Sequence, residues 1–181
     1  MPARYTETMN PETLILQSAV TPALALLPAK MDTPEARVAL LTIGLEESGL
    51  LTRVQTPRKP GGKPGPARGL VQMELAGGTA GVLNHASSKP FTLAICEARQ
   101  VAPTAEAVWR RFEIDDVLNM AFGRLLLFTD PKPLPKNPLD LWAYYIRNWR
   151  PGAFAWRPGQ PYPEPPAKWL PYYQRAVAAV A

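Results

Sequence analysis

The sequence predicts a mainly α domain made of a helical body, a short extended or hairpin segment around Gly69 to Leu75, and a proline-rich C-terminal extension. Three observations carry this prediction. Apolar residues recur at helical spacing in segments that open on Asn, Asp or Thr, several with Pro in the first turn. A Pro/Gly-rich stretch from Thr52 to Arg68 interrupts them. The composition then changes near the C-terminus, where all Trp except Trp109 and all Tyr except Tyr5 lie beyond residue 140 among closely spaced prolines.

Asn10-Pro11 opens a first helix that ends near Pro28. Asp32-Thr33-Pro34-Glu35 opens the second, with a side-chain cap at Asp32, a proline in the first turn and a Glu three residues after the cap. This helix runs to about Leu51. At roughly 100° per residue, Leu40, Ile43, Gly44, Glu47 and Leu51 share one stripe, and Glu35, Ala39, Thr42 and Glu46 share another. Glu46 therefore reads as a solvated surface charge. Glu47 sits in the apolar stripe, where desolvation lifts a carboxyl pKa one or more units above about 4.3. The competing reading is a helix-end glutamate that reaches water or an arginine such as Arg53.

The Thr52 to Arg68 loop carries Arg53, Arg58, Lys59, Lys63 and Arg68, either as solvated charges or as a cationic lip for an anionic partner. Gly61-Gly62-Lys63 lacks the upstream glycine spacing of a phosphate-binding loop. Gly65, Pro66 and Gly69 exclude a helix, so Gly69 to Glu74 reads as a turn into a short strand that places Leu70, Gln72 and Glu74 on one side. Gly77-Gly78-Thr79 caps a short helix ending near His85. Further helices follow from Pro90 to Arg99, after Thr104, from Asp115 to about Phe128, and from Asn137-Pro138 through Trp149. In the third of these, Val117, Leu118, Ala121, Leu125 and Phe128 repeat as a packing face, while Asp115 and Asp116 complement the helix dipole and need no catalytic role. Arg150 to Pro166 is an extended wrap, and Ala167 to Val180 a closing helix.

A chain of 181 residues is one domain with a tail, 1–150 and 151–181, long enough to bury roughly 70% of its unfolded surface. With 46% hydrophobic and 19% charged residues it is globular, and the 22 prolines assign much of the remainder to loop or extended chain. A net charge of +5 favours an anionic partner without naming it. One Cys and one His exclude a disulfide framework and a Cys/His zinc cluster; no metal or cofactor is expected, Cys96 reads as a small buried hydrophobe, and His85 as a loop or core histidine. Glu7, Pro11 and Glu12 precede the apolar stretch Leu14 to Leu27, which is not the layout of a signal peptide, and Gln17, Ser18, Thr21 and Pro22 argue against a membrane span.

A buried-face carboxylic acid opposite a Gly-rich turn and an amide is a device for a raised-pKa proton donor beside a sugar groove. The pair Glu47-Ser48 followed by Gly69-Leu70-Val71-Gln72 resembles the E-S and G-L-M-Q signatures of the lysozyme-like lytic transglycosylases and goose-type lysozymes. Ala143-Tyr144-Tyr145 echoes that family's A-Y-N step, with Tyr145 where Asn is usual, and no M-P-x-T follows Gln72. The resemblance spans roughly Thr33 to Arg150 and implies an α+β lysozyme-like fold. It implies Glu47 as general acid and base, Gln72 as a groove residue, and Tyr144 or Tyr145 near the acid. Ser48, Glu74 and Trp142 join them as candidate substrate-binding residues, since aromatic faces stack on sugars and Glu74 is the one second carboxylate within the motif. The implied substrate is the peptidoglycan glycan strand, cleaved by Glu47 protonating the oxygen that leaves N-acetylmuramic acid. The lone strong carboxylate favours a transglycosylase over a hydrolase. Trp142 to Gly152 also resembles small phage-encoded proteins, which implies a virion-associated protein, or one held in the host cytoplasm before delivery to the cell wall. Two rival readings remain: a non-catalytic virion protein of the tail or ejection apparatus that contacts other virion proteins, and, ranked last, a nucleic-acid binder using the basic loop, which lacks interleaved aromatics for base stacking.

Overall fold

The computed structural model describes residues 9–57 and 60–181; Tyr5, Glu7, Arg58 and Lys59 lie outside the described residues. The first helix begins where the sequence places it, with Asn10 Oδ1 accepting from Thr13 N–H at 2.8 Å and Pro11 in the first turn. It is not one regular helix. α1 (Pro11–Ile15) widens into a π-helical segment (Leu16–Val20) before α2 (Thr21–Ala25). The widening lies just before Pro22, which has no N–H for the carbonyl one turn back.

α3 (Pro34–Ser48) is capped by Thr33 rather than Asp32: Thr33 Oγ1 accepts from Ala36 N–H at 3.2 Å, while both Asp32 oxygens hold Arg37 at 2.7 and 2.8 Å. The helix ends three residues earlier than expected. Gly49 adopts φ +64°, which turns the Gly49 and Leu50 N–H groups back onto the Leu45 and Gly44 carbonyls. Ala36 and every residue from Val38 to Leu45 are buried, so α3 has no solvent face along that run.

The sheet is a two-stranded antiparallel hairpin, β1 (Ala67–Arg68) and β2 (Met73–Glu74), paired Ala67 with Glu74 and Arg68 with Met73. The expected alternation through Gly69 to Glu74 is overturned. Gly69 (φ +79°) and Gln72 (φ +46°) reverse the chain, so Leu70, Val71 and Gln72 are turn residues buried together, and Glu74 is exposed. A period of two applies only to extended backbone.

α4 (Ala80–Asn84) follows a π-helical turn (Leu75–Thr79), and α5 (Lys89–Ala98), α6 (Ala105–Arg111), α7 (Asp116–Thr129) and α8 (Pro138–Trp149) complete the body. α7 is the central packing element. Its cap, Asp115, accepts from Leu118 N–H at 2.9 Å and pairs with Arg99, while Asp116 pairs with Arg53. After a short 3-10 turn, the extended wrap leads to α9 (Trp169–Val180). α9 lies along α3 and also contacts α1 and α8. Its Lys168 end pairs with Glu46 at 3.0 Å, and Arg175 pairs with Glu12, whose side chain is likewise buried. Glu46, expected in solvent, is therefore covered, because the extension packs on the stripe of α3 that carries Ala39, Thr42 and Glu46. The protein is mainly helical, with this hairpin as the one sheet among the described residues.

Candidate active site

Three helices converge on the Gly69 to Gln72 turn, each holding it by one side chain. Ser48, at the end of α3, donates to the Leu70 carbonyl at 2.6 Å and accepts from Leu50 N–H at 3.1 Å. Asn119 of α7 accepts from Val71 N–H at 3.0 Å, and Trp149 Nε1–H of α8 donates to the Val71 carbonyl at 2.9 Å. Gln72 closes the turn internally, its Nε2 donating to the Gly69 carbonyl at 2.7 Å. Glycine is required at 69: a Cβ there would lie 2.2 to 2.5 Å from three Asn119 side-chain atoms, in a backbone region that L-residues avoid.

Beside this turn lies a cavity of about 600 Å³, with Glu47, Gln72, Glu74, Arg147, Asn148 and Trp149 in its wall. Fixing the turn to the end of α3 brings Glu47 and Gln72 into the wall of one cavity. Burial pushes the Glu47 carboxyl from its ordinary 4.5 up to about 7; the Tyr145 hydrogen bond and Lys168 pull down, and the charges of Glu46 and Glu74 push up. Tyr145 is 1% exposed and donates its hydroxyl to Glu47 Oε1 at 2.7 Å. Its own pKa is raised, first by burial and then by Glu47, so the phenol keeps its proton and acts as a fixed donor behind the acid.

Of the residues singled out in the sequence, Glu47, Gln72 and Glu74 share the cavity wall, and Tyr145 touches the acid from the core side. The other three do not line this cavity. Ser48 is spent on the turn. Trp142 is 2% exposed, donates to the Pro163 carbonyl at 2.5 Å and packs edge-on against Phe154 and Trp169, so it anchors the extension. Tyr144 is equally buried, donates to the Leu127 carbonyl at 2.7 Å and faces a different cavity. Helical geometry explains the split: Tyr144 points about 100° away from Tyr145. The same geometry reveals an aromatic that the sequence reading passed over, because Trp149 follows Tyr145 by four residues and shares its face.

The basic loop is less available than its composition suggests. Arg53 forms a two-bond pair with Asp116 at 2.8 and 2.5 Å; Arg68 pairs with Glu113 at 2.5 Å and stacks 4.5 Å from the Trp109 ring centroid. Lys63 is exposed. Among the described residues, no cluster of three His, Cys, Asp or Glu could hold a metal, and no helix is long and apolar enough to cross a membrane.

No family model, curated protein or solved structure matches the chain. The chemistry therefore rests on the site itself. A carboxyl that titrates near neutrality at a cavity wall can donate a proton and then take one back. The same cavity is lined by the Gln72 amide, the exposed Glu74 carboxylate and the Trp149 indole.

Proposed function

We propose that the chain is a peptidoglycan-cleaving enzyme of lysozyme-like type, with Glu47 as its general acid and base at the bond between N-acetylmuramic acid and N-acetylglucosamine. The observation that carries this reading is the Glu47 carboxyl, raised to about 7 at the wall of a cavity of about 600 Å³ that Gln72 also lines. A protonated Glu47 gives its proton to the leaving glycosidic oxygen as the sugar ring gains oxocarbenium character. The resulting carboxylate then accepts the proton of the sugar's own 6-hydroxyl, which attacks the anomeric carbon and closes an anhydro ring. Tyr145 steadies the carboxylate between the two steps, and Trp149 supplies an apolar face for a sugar ring. Glu74, at the rim, is the candidate for positioning water if the enzyme hydrolyses instead.

We further place this activity in a phage virion-associated protein, on the resemblance of the Trp142 to Gly152 stretch. Digestion of purified peptidoglycan by wild type and by Glu47→Gln, with mass analysis of released muropeptides, tests the reading. Anhydro products from wild type alone are expected. Reducing-end products would assign a hydrolase, and no release by either protein would favour the non-catalytic virion component.

A further inference from the structure

A second cavity, of about 710 Å³, lies on the other side of the α7 C-terminus, with Arg124, Phe128, Leu134, Tyr144 and His85 in its wall. Arg124 is only 6% exposed. Its Nε–H donates to the Met31 carbonyl at 3.0 Å, while its two terminal nitrogens make no hydrogen bond or ion pair among the described residues and are not sealed from solvent. Asp130, the acid in this wall, is already engaged by Arg147 at 2.7 Å and Asn148 at 3.0 Å. A buried guanidinium without a counter-charge is disfavoured, and burial pushes its pKa down. The guanidinium carbon lies 6.0 Å from the Phe128 ring centroid, in the wall of a mainly apolar hollow lined also by Leu134 and the prolines at 131 and 133.

We propose that this cavity binds a monoanionic carboxylate carried on an apolar group, with the terminal nitrogens of Arg124 gripping the carboxylate and Phe128 and Leu134 covering the apolar part. Two parallel guanidinium N–H groups match the two oxygens of a carboxylate. Asp130 is already neutralised by Arg147 and Lys132 also lines the wall, so it is the mainly apolar lining that disfavours a sugar and a strongly hydrated dianion such as phosphate. A volume of several hundred Å³ suits a small molecule or the last residue of a peptide. The proposal does not rest on the activity proposed for the Glu47 cavity, although Thr129 lines both cavities.

The chain has one histidine, and it lies in this wall, so the ring resonances of His85 report occupancy in the intact protein. Titration with 3-phenylpropionate, a free acid, and with N-acetylleucine, a mimic of a peptide C-terminus, is expected to shift those resonances saturably and to raise Tm. The stronger of the two identifies the source of the carboxylate. 3-Phenylpropionamide and inorganic phosphate are expected to bind at least tenfold more weakly. Arg124→Met removes an uncompensated charge and with it the bond to the Met31 carbonyl, two opposing effects on stability, and is expected to lose carboxylate binding tenfold or more. Leu134→Trp fills the hollow without touching the charge, and decides the matter if Arg124→Met fails to fold. The proposal is overturned by no saturable response in wild type, by equal binding of the amide, by tighter binding of phosphate, or by unchanged affinity in the variant that folds.

Discussion

Glu46 and Glu47 are consecutive residues at the end of one helix, and they face different regions of the molecule. Glu46 lies under the C-terminal extension, its side chain 7% exposed and ion-paired to Lys168, with one oxygen buried and without a hydrogen-bond partner among the described residues. Glu47 lies at a cavity wall with Tyr145 behind it. Burial is the main cause of a raised pKa at both. Only Glu47 combines that burial with access for a substrate, and Glu46 instead ties the extension to the body. A desolvated acid becomes a candidate catalyst when a cavity reaches it, and a fastener when a neighbouring chain does.

The largest expected effect breaks this contrast at its functional side. Glu47→Gln should lower muropeptide release by roughly 10² to 10⁴, the usual worth of a general acid and base, whereas Glu46→Gln should leave turnover within a few fold. Wild-type activity should decline as pH rises through about 7, where Glu47 loses its proton. The same group predicts a stability signature. Its folded pKa lies above the ordinary 4.5, so its stabilising contribution is complete below 4.5 and is lost as pH rises through about 7. The loss is on the order of 3 kcal/mol. Urea midpoints of wild type against Glu47→Gln between pH 4 and 8 measure it; parallel curves would remove the claim that Glu47 is desolvated.

The contrast is sharpened from the other side by Lys168→Met, which strips Glu46 of its partner. Because Lys168 is half exposed, a loss of about 1 to 2 kcal/mol at pH 7 is expected, less than for a fully buried pair, and it should shrink at acidic pH as Glu46 is protonated. Tyr145→Phe removes a donor that favours the Glu47 anion. The alkaline limb of the activity profile should move to higher pH, at a stability cost of about 1 kcal/mol; a limb moving to lower pH would contradict the hydrogen-bond direction. Ser48→Ala should have the smallest effect, about 1 kcal/mol or less of stability from the lost bond to the Leu70 carbonyl, with no change in the pH profile. A raised KM with unchanged Tm would instead return Ser48 to the substrate groove.

Helix positions were legible because caps, prolines and apolar spacing act locally. Asn10, Thr104, Asp115 and Asn137 each accept from the N–H three residues on, and α5, α7, α8 and α9 fall within about two residues of the expected ranges. Asp32 failed as a cap because Arg37 competes for its oxygens. The hairpin was legible as a turn near Gly69 and not as a register, since the left-handed Gln72 leaves no signature in residue type. That Glu47 and Gln72 line one cavity was anticipated by short motifs. The assignment of Trp142 and Tyr144 to the groove did not hold, because aromatic residues serve core and groove equally and only their helical phase separates them.

The helical body, the glycine turn at 69, the aromatic and proline-rich extension, and the apolar stripe that carries Glu47 are all written in local residue patterns. Tertiary structure alone decided which face of α3 the extension would cover, which tyrosine would reach the acid, and which arginines of the loop would be neutralised. The division has one physical cause. Helix starts and turns are set by interactions within a few residues, whereas burial, pKa and cavity walls depend on groups far apart in the chain, such as Tyr145 and Glu47, that meet only when the helices pack.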